Sequence, residues 1–161
     1  MRRGGTCLAL HCEADSLPEV LHWGRDLGPL SDGQLAAWRS ARAGVVSGNA
    51  DVPPRLSLVP QQAEGWTTTP GLVGSRAGLG QFSDFHPTAI EVVAAEGTDR
   101  APSHVRVEAH DAEADLDLAI EIALTASGLV RTRATLTNRG ADGYGVDSLL
   151  LALPTPPSET L

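Results

Sequence analysis

"LDLAIEIALTASGLVRTRATLTN", residues 116–138, decides the fold class. Leu116, Leu118, Ile120, Ile122 and Leu124 alternate with Asp117, Ala119, Glu121 and Ala123, a period of two that places every large apolar side chain on one face of a strand. After the reversal "ASG" the alternation resumes, with Val130, Thr132, Ala134 and Leu136 set against Arg131, Arg133, Thr135 and Thr137. Two such runs joined through a short glycine-containing turn read as an antiparallel hairpin with Gly128 at the turn, one face in a core and the other in water. On the wet face Arg131 and Arg133 are expected across from Glu121 and Asp117, where opposite charges stabilise weakly.

The pattern extends in both directions. In "SHVRVEAHD", residues 103–111, Val105, Val107 and Ala109 alternate with Arg106 and Glu108. "NRGADGYG" supplies the next reversal through three glycines able to take positive φ, and "VDSLLLALP" reads as a strand with a more fully buried run. Upstream, "TCLALHCE", "EVLHWGRDL", "RLSLVP" and "AIEVVAAEG" read as four further strands. "SDGQLAAWRSARAG" reads as the one helix: Ser31 and Gln34 have capping-box spacing, Leu35 and Trp38 share a face, and Gly44 stops it. Within "LHWG", Trp23 is expected in the core and Gly24 at a bend into "RDLGPLS". Residues 50–87 read mostly as loop, although Trp66, Phe82 and Phe85 argue for ordered packing there. A chain of 161 residues with seven or more short, mostly antiparallel strands and one inserted helix predicts a single mainly β domain, an antiparallel β-sandwich.

Composition narrows the function classes. Twelve basic residues, all arginine, stand against twenty acidic ones for a formal charge of −8, which argues against the clustered positive charge of a nucleic-acid footprint. Cys7 and Cys12, five apart, would point to opposite faces of one strand, so two free thiols in a reducing cytoplasm are expected. The opening "MRRGGTCLALHCEADS" has a basic start, but its apolar run is very short and broken by His11 and Glu13. It reads neither as a signal peptide nor as a membrane span, and cytoplasmic localisation is the expectation.

No metal or cofactor signature is present. His104 and His110 share a strand face but lie about 20 Å apart along it, too far to share an ion. His11 and Cys12 are adjacent and point apart. The acidic run "HDAEADLD" lacks the glycine and the twelfth-position acid of a calcium loop and reads as a solvated turn. Ser75, in "GLVGSRAGLGQ", has no nucleophile elbow, and no Lys-Ser or Lys-Thr follows those glycines to make a phosphate cradle. What remains is an aromatic and acidic set: Trp23, Trp66, Phe82 and Phe85 with His22, Glu64, Asp84 and His86. Such a set can line a sugar site, rings covering the apolar face of a pyranose and carboxylates accepting from its hydroxyls.

The order "LPEVLHWGRDLG", the helix, "LSLVPQQAEGWTTTPGLVGSRAG", then "VRVEAHD" through "LLLALPTP" resembles the N-terminal domain of actinobacterial α-galactosidases of glycoside hydrolase family 36. The resemblance covers residues 7–156, with "LHWG" and the P-x-Q-x-E-G-W segment its most specific parts. It implies a supersandwich similar to the galactose-mutarotase-like fold over residues 1–153, and residues 154–161 as the start of a linker to a (β/α)8 barrel. In that family the barrel carries both catalytic aspartates of a retaining mechanism, so no catalytic residue and no cofactor is expected in this chain, which stops at Leu161. The partners implied are that barrel, a galactose-containing oligosaccharide in the intact enzyme, and further copies of a homo-oligomer, with neither nucleic acid nor membrane. The loop "AEGWTTTPGLVG" occupies the region that in oligomeric members reaches a neighbouring substrate site, and Glu64 and Trp66 are the substrate-binding candidates it offers. The Gly-Asp-Phe-Arg motif of other branches is absent from it. Two other readings differ in class: a free-standing carbohydrate-binding module, which would use Trp66, and a mutarotase-like epimerase, which would need His22 to converge with Glu91 or Glu108.

Overall fold

The computed structural model describes residues 1–42, 55–80, 82–94 and 102–154. The decisive stretch forms two strands, Leu116–Leu124 and Val130–Asn138, paired antiparallel with Leu124 opposite Val130 and Leu116 opposite Asn138. Numbering strands in chain order makes these β8 and β9. Every apolar position of β8 is buried and every intervening one half-exposed, as its period of two requires. The turn closes with the Gly128 amide donating to the Thr125 carbonyl at 2.9 Å. Gly128 has φ +82, and a Cβ there would meet the Thr6 hydroxyl at 2.6 Å, so both backbone and packing demand glycine.

His86–Ala94 (β6) and Pro102–Asp111 (β7) complete a four-stranded sheet of order β6-β7-β8-β9. The β7–β8 turn is held from inside. Asp111, 1% exposed, accepts from the Glu113 and Ala114 amides at 3.1 and 2.9 Å and from the Asp84 amide at 2.8 Å. The acidic run is therefore solvated except at its first member, whose carboxylate supplies the turn's missing acceptors.

Two smaller antiparallel sheets complete the architecture. Arg2–Arg3 (β1), Thr6–His11 (β2) and Glu19–Arg25 (β3) form one, in sequence order. Leu72–Arg76 (β4), Leu79–Gly80 (β5) and Tyr144–Leu149 (β10) form the other, in the order β10-β4-β5. One hydrophobic cluster joins all three sheets: Leu8 of β2, Val20 of β3, Leu72 of β4, Val105 and Val107 of β7, and Leu116 to Ile122 of β8, with Leu58, Val59 and Phe85 from connecting segments. Shared burial of this kind makes the molecule an antiparallel β-sandwich.

The helix is α1, Asp32–Arg42. Its start is the expected reciprocal cap, with the Ser31 amide donating to Gln34 Oε1 at 2.9 Å and the Gln34 amide to Ser31 Oγ at 3.3 Å. The predicted stop at Gly44 lies outside the described residues.

Local readings differ from the structure at five places. "RLSLVP" forms no strand and makes only a bridge from Ser57 to Glu19, although Leu58 and Val59 are fully buried. The partner of β10 is instead β4, inside the segment read as loop. Gly74 hid that strand: it weakens β propensity, yet a Cβ there would meet the Tyr144 ring at 2.5 Å. β10 begins at Tyr144 and is not deeply buried, with Val146 half exposed. β3 runs through Gly24 to Arg25, the left-handed residue being Gly28 at φ +76, and Trp23 is half-buried at the edge of the core. On the wet face Arg133 does oppose Glu121, but Arg131 opposes Ala123 and Asp117 opposes Thr137.

Candidate functional site

Glu64 and Trp66 follow one another around a tight corner. A 3-10 turn, Gln62–Glu64, ends at Gly65 with φ +82. Glu64 turns inward: its Oε2 accepts from the Ser57 hydroxyl at 2.7 Å, while Oε1 is buried without a hydrogen-bond partner. Burial pushes its pKa up, against the opposing pull of the Ser57 hydroxyl and the Arg55 charge. The Trp66 indole N–H donates to the Thr69 carbonyl at 2.9 Å. The two residues thus share a segment, but the Trp66 N–H and one of the two Glu64 oxygens are committed to the chain itself.

The rest of the aromatic set disperses. Phe85 is fully buried, its amide donating to Gln61 Oε1 at 2.6 Å, whereas Phe82 is 77% exposed. His22 lies on β3, its ring bonded to the Arg25 carbonyl at 3.1 Å and packed 5.2 Å from the Trp38 ring. Glu91 and Glu108 stand on β6 and β7, in a different sheet, and Glu108 pairs with Arg106. The His–Glu convergence required of an epimerase is not formed by these residues.

A charged hub ties the helix to the sheet of β1 to β3. Glu13 accepts from His11 Nε2 at 2.9 Å and pairs with Arg39 of α1 and with Arg55, which also faces Glu19 at 3.8 Å. The His11 bond, followed by that to Arg55, holds the Glu13 carboxyl at about 2, far below its usual range. So low a value suits a structural anchor and is wrong for a general acid working near neutrality.

A concavity lined by charged and hydroxyl side chains lies on the outer face of the four-stranded sheet, opposite the core. It encloses about 550 Å³ over β6 to β9. Register shows why it exists. One row across the strands reads Ala89, Glu108, Ala119, Thr135, and its two alanines leave a trough. The row on one side reads Glu91, Arg106, Glu121, Arg133, charges alternating strand by strand, and Arg106 bonds Glu121 at 2.9 Å and Glu108 at 3.1 Å. The row on the other side reads His86, His110, Asp117, Thr137. There His110 Nδ1 lies 2.8 Å from Asp117, whose other oxygen accepts from Arg139. Those two partners, Arg139 foremost, draw the Asp117 carboxyl below its ordinary value.

Spacing along the chain sets His110 against His104 and does not pair it with Asp117. The signal was there in the hairpin: once Asp111 opposes Leu116, residues 110 and 117 must sit side by side. Among the described residues no group of three His, Cys, Asp or Glu side chains could hold a metal ion. No helix among them is long and apolar enough to cross a membrane.

The profile of the glycosyl hydrolase family 36 N-terminal domain matches residues 16–161. The chain belongs to that family. As a family 36 N-terminal domain it is also similar to an Escherichia coli protein named alpha-galactosidase, 29% identical over 136 residues. That alignment takes in 84% of this chain but only 18% of the relative, so the domain spans a small part of the protein it matches. No solved structure matches the chain. The matched region holds β3 to β10 and α1, and β1 and β2 both precede it.

Proposed function

We propose that this chain serves as the N-terminal, non-catalytic domain of an α-galactosidase that hydrolyses terminal α-linked galactose. The match to the family 36 N-terminal domain over residues 16–161 carries the proposal, and the alpha-galactosidase relative agrees with it. The charge pattern of the domain supports the non-catalytic part. A retaining glycosidase needs two carboxyl groups about 5 Å apart, one kept protonated until it acts. The carboxylates of the outer groove are instead tied to Arg106 and Arg139, and Glu64, whose pKa is raised, is turned into the chain against Ser57.

In this reading residues 1–153 are the sandwich, residues 154–161 begin the linker, and a (β/α)8 barrel supplies both catalytic carboxylates. The enzyme works in the cytoplasm and assembles as a homo-oligomer. The half-buried placement of Leu151 and Leu153 against the core supports keeping the chain in the sandwich up to that point. Glu64 and Trp66 remain the residues of this domain offered to substrate, and reaching it would require the Trp66–Thr69 bond to give way.

Two measurements test the proposal. The coding sequence is expected to continue in frame past Leu161 into a barrel with two catalytic aspartates; a stop codon with no barrel encoded beside it overturns the reading. The purified chain alone is expected to release no nitrophenol from a nitrophenyl α-galactoside. Turnover above background, abolished by a substitution within this chain, overturns the non-catalytic assignment.

A further inference from the structure

We propose that the groove on the outer face of the four-stranded sheet is a binding site for a neutral, polyhydroxylated ligand, a mono- or disaccharide, separate from the Glu64–Trp66 corner. The enclosed volume of about 550 Å³ falls within the roughly 300–1,000 Å³ range of small-molecule sites. Its walls are built before any ligand arrives. Arg106 is fixed between Glu108 and Glu121 on one side, and Asp117 between His110 and Arg139 on the other. Side chains held by one another lose little further freedom on binding, which leaves more of the contact energy for affinity.

The lining selects the ligand class. Two guanidinium groups, Arg106 and Arg139, face three carboxylates, Glu108, Asp117 and Glu121, in alternation. An anion would approach the carboxylates and a cation the guanidinium groups, while an apolar molecule would strip water from charged groups and return nothing. A sugar hydroxyl both donates and accepts. A ring of them can meet alternating acceptors and donors at the spacing of neighbouring strands, about 4.8 Å. An ion-paired carboxylate still has lone pairs to spare, and Thr88, Thr135 and Thr137 add hydroxyls at the rim. The short side chain of Ala119 leaves a small apolar floor for the C–H face of the ring.

Nothing in this inference depends on the galactosidase reading, and the two fail separately: loss of the groove site leaves the enzyme assignment standing. The test is amide chemical-shift mapping of the whole chain, titrated with galactose, melibiose and raffinose, with inorganic phosphate as the anionic probe. Saturable shifts are expected at amides of β7, β8 and β9 around His110, Asp117, Ala119 and Thr135, with dissociation constants of order 1 mM. Ala119→Arg, which fills the floor from the exposed side, should weaken binding at least tenfold. Glu108→Gln, a milder change at an exposed position, should weaken it several-fold, and Trp66→Ala should leave it unchanged. The proposal is overturned by an absence of shifts with all three sugars, by shifts centred on Trp66, by phosphate binding as tightly as the sugars, or by Glu108→Gln and a folded Ala119→Arg both binding as the parent does.

Discussion

Replacing Glu13 by glutamine should lower stability by about 1–2 kcal/mol at pH 7, and the loss should fade in acid. The carboxylate joins three parts of the molecule: His11 at the end of β2, Arg39 on α1, and Arg55 before the 3-10 turn. Its pKa is held at about 2 in place of 4.5. That difference, at 1.36 kcal/mol per unit, sets a ceiling of about 3.4 kcal/mol. The Glu13 side chain is 28% exposed and that of Arg39 46%, so solvent screening removes half or more of the ceiling. Because the folded value lies below the unfolded one, the contribution is complete above pH 4.5 and disappears as pH falls towards 2. Glutamine keeps the shape and one acceptor but carries no charge at any pH. Urea unfolding of parent and Glu13→Gln at pH 7, 4 and 2.5 should therefore show two midpoints that converge on acidification. A gap of equal size at pH 7 and pH 2.5 would refute the electrostatic account, and so would the absence of a gap at pH 7.

Two further substitutions probe the turns. Asp111→Ala removes the buried acceptor of three amides at 2.8–3.1 Å and leaves them without a partner, so a loss of about 3 kcal/mol is expected in urea unfolding, with Asp111→Asn falling in between. Gly128→Ala places a methyl group 2.6 Å from the Thr6 hydroxyl in a left-handed backbone, and should cost about 1–3 kcal/mol, seen as a lower thermal midpoint; an unchanged midpoint would remove the conformational argument.

What could be read without coordinates was whatever repeats locally. The alternation of residues 105–109 and 116–136 specified strands, their inner face and the hairpin, because a side-chain period of two is a property of the chain alone. The helix start was legible for the same reason, since Ser31 and Gln34 satisfy each other within one turn. β4 was not legible. Its glycine is there to let Tyr144, some seventy positions later, pack against the backbone, and no local pattern carries that information.

The functional residues divide in the same way. Sequence order alone was sufficient to place the chain among family 36 N-terminal domains, since family likeness is written in local motifs and their order. Tertiary structure decided which side chains meet. It turned Glu64 towards Ser57, separated His22 from Glu91 and Glu108 by placing them in different sheets, and set His110 beside Asp117 over a trough lined by Ala119. Proximity between strands is set by register and by which sheets share a core, and both depend on the whole chain folding together.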